Sequence, residues 1–296
     1  MEKARILVTG ATGTVGGHVA RLLAADGVPF KAMTRTPRAN GHLGDLDCEV
    51  AEGDFRVPAS LISAFEGVDC LFLVAPLVPD LAELEAHAID AAADAGVRRV
   101  VKLSTAGVSQ TQAASARVVP RQYPLHRRSE EHLERSGLDY THLRPGPFMQ
   151  NTLNFAPSVV AEGVFRGAWG DGRMGYVDVR DVAAVAVKVL REEGHEGRAY
   201  ELTGPAALSP RDVASKLSAA TGRTIRYVDV PAEGVREAML KRGMPEWFVG
   251  AMIEVMDHTR DGAADHLTET VRELTSEAPR SYDDFAAEHA SSFITA

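Results

Sequence analysis

The sequence predicts an α/β protein, a doubly wound parallel sheet followed by a smaller C-terminal α/β capping region. Three observations predict it. Short apolar runs alternate with helix-like segments through the first half of the 296-residue chain. The first run leads straight into a glycine-rich loop. The alternation then loosens after about residue 150, where loops and amphipathic helices take over.

Taken in order, the strand-like runs are Arg5 to Val8, Pro29 to Thr34, Cys48 to Glu52, Cys70 to Val74, Arg99 to Leu103 and Tyr140 to Leu143. The fourth and fifth are apolar throughout most of their length, as strands buried on both faces are. Helical periodicity lies between the runs. Asp80 to Ala95 places Leu81, Leu84, Ala88 and Ala92 on one face. Strands separated by helices of this length make βαβ units with right-handed crossovers and helices on both sides of the sheet. We therefore assign residues 1–150 to a nucleotide-binding domain and residues 151–296 to a capping, substrate-binding region packed on it.

The second half offers fewer signals. Gly163 to Gly172 reads as loop. Asp178 or Asp181 caps a helix over Val182 to Leu190, and Ser209 with Asp212 caps one over Val213 to Thr221. Val235 to His258 reads as helical with a break at Gly243-Met244-Pro245. Its methionines and aromatic residues serve as core, as the roof of a substrate pocket, or as both.

The loop after the first strand carries chemistry. Gly10, Gly13 and Gly16 stand at intervals of three between an apolar strand and an apolar helix. In that context the first glycine permits a tight turn and the second lets the backbone meet a pyrophosphate. The third lets the helix lie close on the strand. Thr12, Thr14 and Val15 complete the loop, and the helix N-terminus supplies N–H groups and a positive dipole end to the phosphates. The alternative is a plain structural turn.

Bulk properties narrow the field. A net charge of −9 argues against a general nucleic-acid or anionic-membrane binder. The N-terminal residues lack the pattern of a secretory signal, and no uncharged apolar run is long enough for a membrane span. Cys48 and Cys70 are the only cysteines, so no disulfide framework and no cysteine metal site is expected. The sequence thus predicts a cytoplasmic protein that acts on a small molecule, as a monomer or homodimer, with no metal.

Several runs together carry a family resemblance. They are Val8-Thr9-Gly10-Ala11-Thr12-Gly13-Thr14-Val15-Gly16, Met33-Thr34-Arg35, Gly53-Asp54-Phe55, Val101 to Gly107, Leu143-Arg144-Pro145-Gly146-Pro147-Phe148-Met149-Gln150-Asn151, and Val177 to Ala183. With these the chain resembles the NmrA-like atypical short-chain dehydrogenase/reductases, over nearly its whole length. The resemblance implies a Rossmann-type fold and a nicotinamide cofactor. It implies either a quinone- or azo-type reductase or a non-catalytic NADP-sensing regulator. It also places Asp54 and Phe55 beside the adenine, Val74, Ala75 and Pro76 along the cofactor, and Pro145 and Phe148 in the cofactor-binding set.

Arg35 indicates which nucleotide. An NAD enzyme usually carries an acid at the end of the second strand to hold the ribose 2′-hydroxyl. Here Arg35 stands there, with no acid nearby, and a guanidinium suits a 2′-phosphate. The expected cofactor is NADP(H), ahead of NAD(H). Arg38 either assists or is a solvated loop charge. Lys102, in the fifth strand, either points to the cofactor ribose or forms an ion pair at the sheet edge.

Candidate catalytic groups lie after the fifth strand. Ser104 and Thr105 follow it, where a hydroxyl could hold a substrate carbonyl or simply bond its own turn. Related reductases use a Tyr-x-x-x-Lys pair, in which the lysine lowers the tyrosine pKa. Here Tyr123 and Arg127 have that spacing, but arginine replaces lysine and Pro124 suggests a helix that starts only after Tyr123. His126 is the rival proton donor. His126 with Glu130 has the spacing of metal ligands on a helix but lacks a third ligand. Arg117, Arg121, Arg127 and Arg128 form a basic cluster beside Glu130 and Glu131, which reads as a solvated charge network.

These residues fit an NADPH-dependent reductase of a small apolar carbonyl, quinone or imine-type substrate. The missing lysine keeps an NADP-binding regulator open. It weakens a third reading, a nucleotide-sugar epimerase or dehydratase.

Overall fold

The chain is described here by a computed structural model covering residues 5–36, 41–108 and 119–294. Arg38 and Arg117 lie outside the described residues. The chain divides into two compact units, the first made of residues up to Thr105 with Leu125–Arg144 and Val179–Glu201. The second contains Ala106–Pro124, Pro145–Asp178 and Leu202–Ala296.

The first unit is built on a sheet whose strands all come from the runs read in the sequence, with one addition. They are β1 (Ile6–Val8), β2 (Phe30–Thr34), β3 (Glu49–Glu52), β4 (Cys70–Leu73), β5 (Arg99–Leu103), β6 (Asp139–Pro145) and, outside the expected set, β9 (Arg198–Leu202). Their order across the sheet is β3-β2-β1-β4-β5-β6-β9. β1 pairs in parallel with β2 and with β4, in the register Val8↔Ala32 and Val8↔Phe72. The pairs β2–β3, β4–β5 and β5–β6 are parallel too. Parallel pairing puts the carboxyl ends of these strands on one edge of the sheet. The chain winds outward from β1 to β3, then starts again at β4 on the other side of β1. The reversal leaves a crevice between the ends of β1 and β4, the position where open α/β sheets bind ligands.

Helices cover both faces, as the rhythm of strands and helices requires. On one face lie α2 (Ala59–Phe65), α3 (Leu81–Asp94) and α4 (Gln122–Arg135). Leu61, Phe65, Leu84, Ala88, Ile89 and Leu133 of these helices join Leu7, Leu71, Leu73 and Val100 of the strands in one buried core. On the other face α1 (Thr14–Ala25) packs against α6 (Val179–Arg191), and α6 also meets β4 and β5. The division expected at residue 150 therefore differs from the observed one. The chain returns to the first unit with α6 and most of β9, because the apolar stripe of α6 needs the face that α1 leaves half covered. Arg99 fixes this return: its buried guanidinium donates to Leu190 O at 3.0 Å and to Glu192 O, so the end of α6 is capped from β5.

α6 begins three residues earlier than its apolar run suggests. Asp178 directly precedes it and Asp181 lies inside its first turn, where a carboxylate suits the positive helix end.

The second unit has two small sheets. β7 (Val164–Gly167) pairs in parallel with β11 (Arg226–Asp229), and β8 (Met174–Gly175) pairs antiparallel with β10 (Ala207–Leu208). The stretch from Gly163 thus contains a strand where the sequence suggests only loop. The number of glycines hid a short run, Val164-Phe165, whose side chains are buried. Phe165, Tyr176, Tyr227, Tyr282, Phe285 and Phe293 form an aromatic-rich core with α5 (Ala156–Glu162), α7 (Pro210–Thr221) and, near the C-terminus, a helix over Tyr282–Glu288. Ser209 and Asp212 make the expected capping box on α7, with Ser209 N donating to Asp212 Oδ2 at 2.9 Å and Asp212 N to Ser209 Oγ at 3.2 Å. The break at Gly243 separates α8 (Ala232–Lys241) from α9 (Glu246–Arg260). No helix among the described residues is long and apolar enough to cross a membrane.

The third glycine of the first loop has a packing role that predicts a stability loss. A Cβ on Gly16 would lie 2.3 Å from Gly10 O, a backbone atom that cannot yield cheaply. Gly16→Ala should cost about 1–3 kcal/mol in urea denaturation, as overpacking does. Gly13→Ala should cost less, because the nearest atom is 3.1 Å away and φ is −90°.

Candidate functional site

The crevice at the sheet reversal is shaped by Thr9 and Gly10. Thr9, at the end of β1, accepts a hydrogen bond from Val74 N at 2.7 Å, and its hydroxyl reaches Phe72 O and Val74 O. It ties the carboxyl ends of β1 and β4 together at the point where the chain directions diverge. Gly10 then turns with φ +59°, in the left-handed region, and a Cβ there would press on Val74 at 3.2 Å. Gly13 N donates to Gly10 O at 2.8 Å and closes the turn. Gly13 is the N-cap position of α1, where no side chain caps the helix and no acid occupies the first turn. Thr12, Gly13 and Thr14 are exposed, while Val15 and Gly16 are buried against the strand. The positive end of α1 thus opens at the crevice with no carboxylate in its own first turn to compete for it. These features fit a pyrophosphate.

Arg35 follows β2 on the same edge of the sheet. It is exposed, and among the described residues no carboxylate pairs with it. Asp54, half-buried after β3, accepts from Arg56 N at 2.9 Å and donates from its own N–H to Ser60 Oγ at 2.9 Å. Phe55 differs from expectation. Its ring is 7 % exposed and belongs to the core with Met33 and Leu61. Only its backbone oxygen takes part in a polar contact, with His87 Nδ1 at 2.8 Å. Val74 and Ala75 are half-buried just past β4, and Pro76 is exposed.

Lys102 lies neither at a sheet edge nor in the open. Its side chain is fully buried, with Nζ 2.9 Å from Glu85 Oε2 of α3. The same ammonium is 3.3 Å from Leu103 O and 3.4 Å from His126 Nδ1. His126, on α4, is half-buried. Burial pushes its pKa well down, and the Lys102 charge pushes it further, so the imidazole is neutral at physiological pH. Glu85 was missed in the sequence. The signal was present, since Glu85 sits beside Leu84 and four residues after Leu81, within the buried stripe of α3.

Ser104 and Glu130 begin a second polar network. Glu130, fully buried on α4, receives two hydrogen bonds from Arg144 of β6, at 3.0 and 2.6 Å. Arg127 reaches the same carboxylate at 3.4 Å, and also Glu131 and Glu134, each at 3.0 Å. His142 lies 3.3 Å from Glu134. Burial would raise the Glu130 carboxyl. The Arg144 hydrogen bonds, with His142 and the Ser104 hydroxyl beside it, bring it below the usual range instead. Glu130, Glu134 and His142 gather closely enough for a cation, but Arg144 and Arg127 already neutralise the carboxylates. Ser104 is buried and turned to this network, and Thr105 after it is half-buried.

Tyr123 has an environment opposite to that of a catalytic tyrosine. α4 begins at Gln122, so Tyr123 lies within the helix with Pro124 in the first turn. In the second unit its ring covers Gly107 and meets His258 edge-on at 5.4 Å. Burial pushes its phenol up to about 12. Arg127, the residue at the lysine position, is spent on three glutamates. Pro145 is buried at the end of β6, and Phe148 is half-buried and bridged to Val177, both within the second unit. In α9, Ile253 and Met256 join a small core with Val235, while Trp247, Phe248 and Met252, with Met244 in the break before the helix, stay half-buried.

A sheet of this order, with a glycine turn and an open helix end at its reversal, defines a Rossmann-type dinucleotide-binding protein. Residues 10–193 match the model of the family described as NAD(P)H-binding, and the chain belongs to that family. The NmrA-like reductase resemblance and the nicotinamide cofactor read from the sequence are borne out. The chain is 38 % identical over 288 residues to the NAD(P)H azoreductase of Xenophilus azovorans, covering 97 % of this chain and 99 % of that one. It is 40 % identical over 290 residues to the (4-alkanoyl-5-oxo-2,5-dihydrofuran-3-yl)methyl phosphate reductase of Streptomyces griseus, with the same coverage. Among solved structures it is similar to the NADPH-dependent quinone oxidoreductase of Escherichia coli complexed with NADPH. That match has a TM-score of 0.85 at 28 % identity, over 96 % of this chain and 99 % of the other.

The Glu130 clamp predicts a pH dependence. A carboxyl lowered in the folded state contributes stability above its unfolded pKa, which is lost as pH falls through the folded value. Glu130→Gln should cost about 2–4 kcal/mol at neutral pH, because it leaves Arg144 without its charge partner. The gap from wild type should narrow below about pH 4 in thermal unfolding followed across pH.

Proposed function

We propose that this protein is an NADPH-dependent reductase that delivers hydride to a small apolar carbonyl, quinone or imine-type substrate. The observation that carries the reading is similarity along the full length to two proteins named as reductases. Bound NADPH would supply the hydride and leave as NADP⁺. The chain does the rest. The Gly10–Gly16 loop and the open end of α1 hold the pyrophosphate, and Arg35 holds the 2′-phosphate. Val74, Ala75 and Pro76 line the cofactor past the switch point, and Asp54 lies at its adenine end. Pro145 and Phe148 remain assigned to cofactor binding on the resemblance. We assign substrate binding to the second unit, where the half-buried side chains of α9 offer apolar surface.

Among the candidate catalytic groups, His126 is favoured as the hydrogen-bond donor that steadies the charge developing on the substrate oxygen, with the proton itself drawn from water. It is neutral and half-buried, and among the described residues its Nε2 has no partner. Thr105 is left to orient the substrate. Tyr123 and Ser104 are disfavoured because one is raised by burial and the other is turned to Glu130. The epimerase reading weakens for the same reason, since no cation activates Tyr123. The absence of that activated pair is what favours the second reading, an NADP-binding regulator without turnover. Action in a reducing, cytoplasmic compartment is part of the proposal and is supported by the free thiols of Cys48 and Cys70.

Cofactor choice tests the phosphate assignment. Arg35→Asp should weaken NADPH binding at least tenfold and leave NADH nearly unchanged, measured by titration of both, since repulsion replaces a charge-assisted bond. Wild type that prefers NADH would overturn the assignment.

Turnover tests the donor. Purified protein should oxidise NADPH when given quinones, azo dyes or cyclic imines. His126→Ala should lower kcat by roughly a hundredfold with NADPH affinity retained, and Tyr123→Phe by much less. No oxidation with any substrate, alongside tight NADP binding, would favour the regulator.

A further inference from the structure

We infer that Lys102 is a positioning residue that locks His126 into one tautomer, with Nδ1 as acceptor and the proton on Nε2. The inference rests on the reading of His126 as donor and deepens it by naming what prepares that donor.

A lysine ammonium carries three N–H donors and no acceptor. Lys102 is fully enclosed, so water does not complete its bonding. Three acceptors surround Nζ: Glu85 Oε2 at 2.9 Å, Leu103 O at 3.3 Å and His126 Nδ1 at 3.4 Å. Glu85 is its ion-pair partner, Leu103 O and His126 Nδ1 lie at hydrogen-bonding distance, and a nitrogen set against an ammonium N–H must offer a lone pair. A proton on Nδ1 would face an ammonium proton and leave one buried donor unmade. Nδ1 is thus the bare nitrogen, and in a neutral ring the proton then sits on Nε2.

Glu85 supplies the condition that makes this possible. Its carboxylate balances the Lys102 charge inside the core, so the ammonium can be buried at all. Glu85 holds Lys102 from α3, Leu103 O holds it from β5, and His126 is presented from α4. Three elements of one unit thus fix the ring. A ring held this way presents a donor where a reduced substrate gains negative charge on oxygen, and it needs no reorganisation as that charge appears. A purely structural Lys102–Glu85 pair would not select a nitrogen of His126.

The test reads the tautomer directly. Full-length protein labelled with ¹⁵N-histidine is examined by long-range ¹H–¹⁵N correlation at neutral pH, with and without NADPH, and His126→Gln assigns its signals. The wild type should show His126 with a protonated Nε2 and a bare Nδ1. Replacing the pair together by Lys102→Met and Glu85→Leu removes the donor without stranding a buried charge. In that variant the Nδ1–H tautomer should become populated, and kcat for NADPH oxidation should fall about tenfold or more with the KM for NADPH unchanged. Lys102→Arg, which also only donates, should keep the wild-type tautomer. A wild-type ring protonated on Nδ1 overturns the inference, as does a tautomer ratio that the double variant leaves unaltered. The wild-type spectrum decides even if the double variant fails to fold. A tautomer released as expected with kcat unaltered keeps the lock and overturns the donor role of His126, so the two readings fail separately.

Discussion

The hydrogen bonds between Thr9 and the end of β4 are the constraint on which the rest of the first unit depends. Two parallel strands whose connections leave in opposite directions have no loop between their ends, so their ladder needs anchoring where it stops. Thr9 anchors it with one hydroxyl, which accepts from Val74 N at 2.7 Å while it reaches the carbonyls of Phe72 and Val74. With that edge fixed, Gly10 can turn sharply, α1 can begin directly above the gap, and Gly16 can lie against Gly10 O. The fold makes the crevice. The sequence around it only has to avoid filling it, which is why small residues and an uncapped helix end stand there.

The same unit holds two buried polar groups whose costs are met differently. Lys102 and Glu85 are both nearly without exposure and meet at 2.9 Å. Glu130 is equally buried but faces two guanidinium groups, one of them bidentate. The first is an ion pair that leaves lysine N–H groups to Leu103 O and His126 Nδ1. The second leaves its carboxylate saturated. Chemistry can therefore be directed from Lys102, whereas Glu130 serves to hold α4 on β6.

Much of this was legible in the residues. Five of the six strand-like runs fall within a residue or so of the observed strands, because buried parallel strands are short apolar runs bounded by turns. The sixth extends further, to Pro145. The glycine loop was legible because its spacing lies between a strand and a helix, and Arg35 because an acid is missing where one would serve NAD. The return of α6 and β9 to the sheet was not, since nothing local in Val179–Glu201 says which layer it will join. Phe55 shows a related limit: a motif fixes the backbone path, but its neighbours Met33 and Leu61 decide that the ring turns inward. The environments of Tyr123 and His126 were out of reach for the same reason. Their positions along α4 are evident, yet the burial that raises Tyr123, and the burial and Lys102 charge that lower His126, come from parts of the chain distant in sequence.

The arrangement around Arg127 makes a lysine at that position hard to accommodate. Its guanidinium reaches Glu130 and Glu134 from Nη1 and Glu131 from Nε at once. A lysine in its place would have one nitrogen to serve three carboxylates and could not span them. Restoring the missing residue of the tyrosine–lysine pair would thus unbalance helix α4 before it activated Tyr123. A variant built to use tyrosine chemistry would first have to lose acidic residues from that helix, so the two ways of serving the substrate oxygen are separated by several coordinated substitutions.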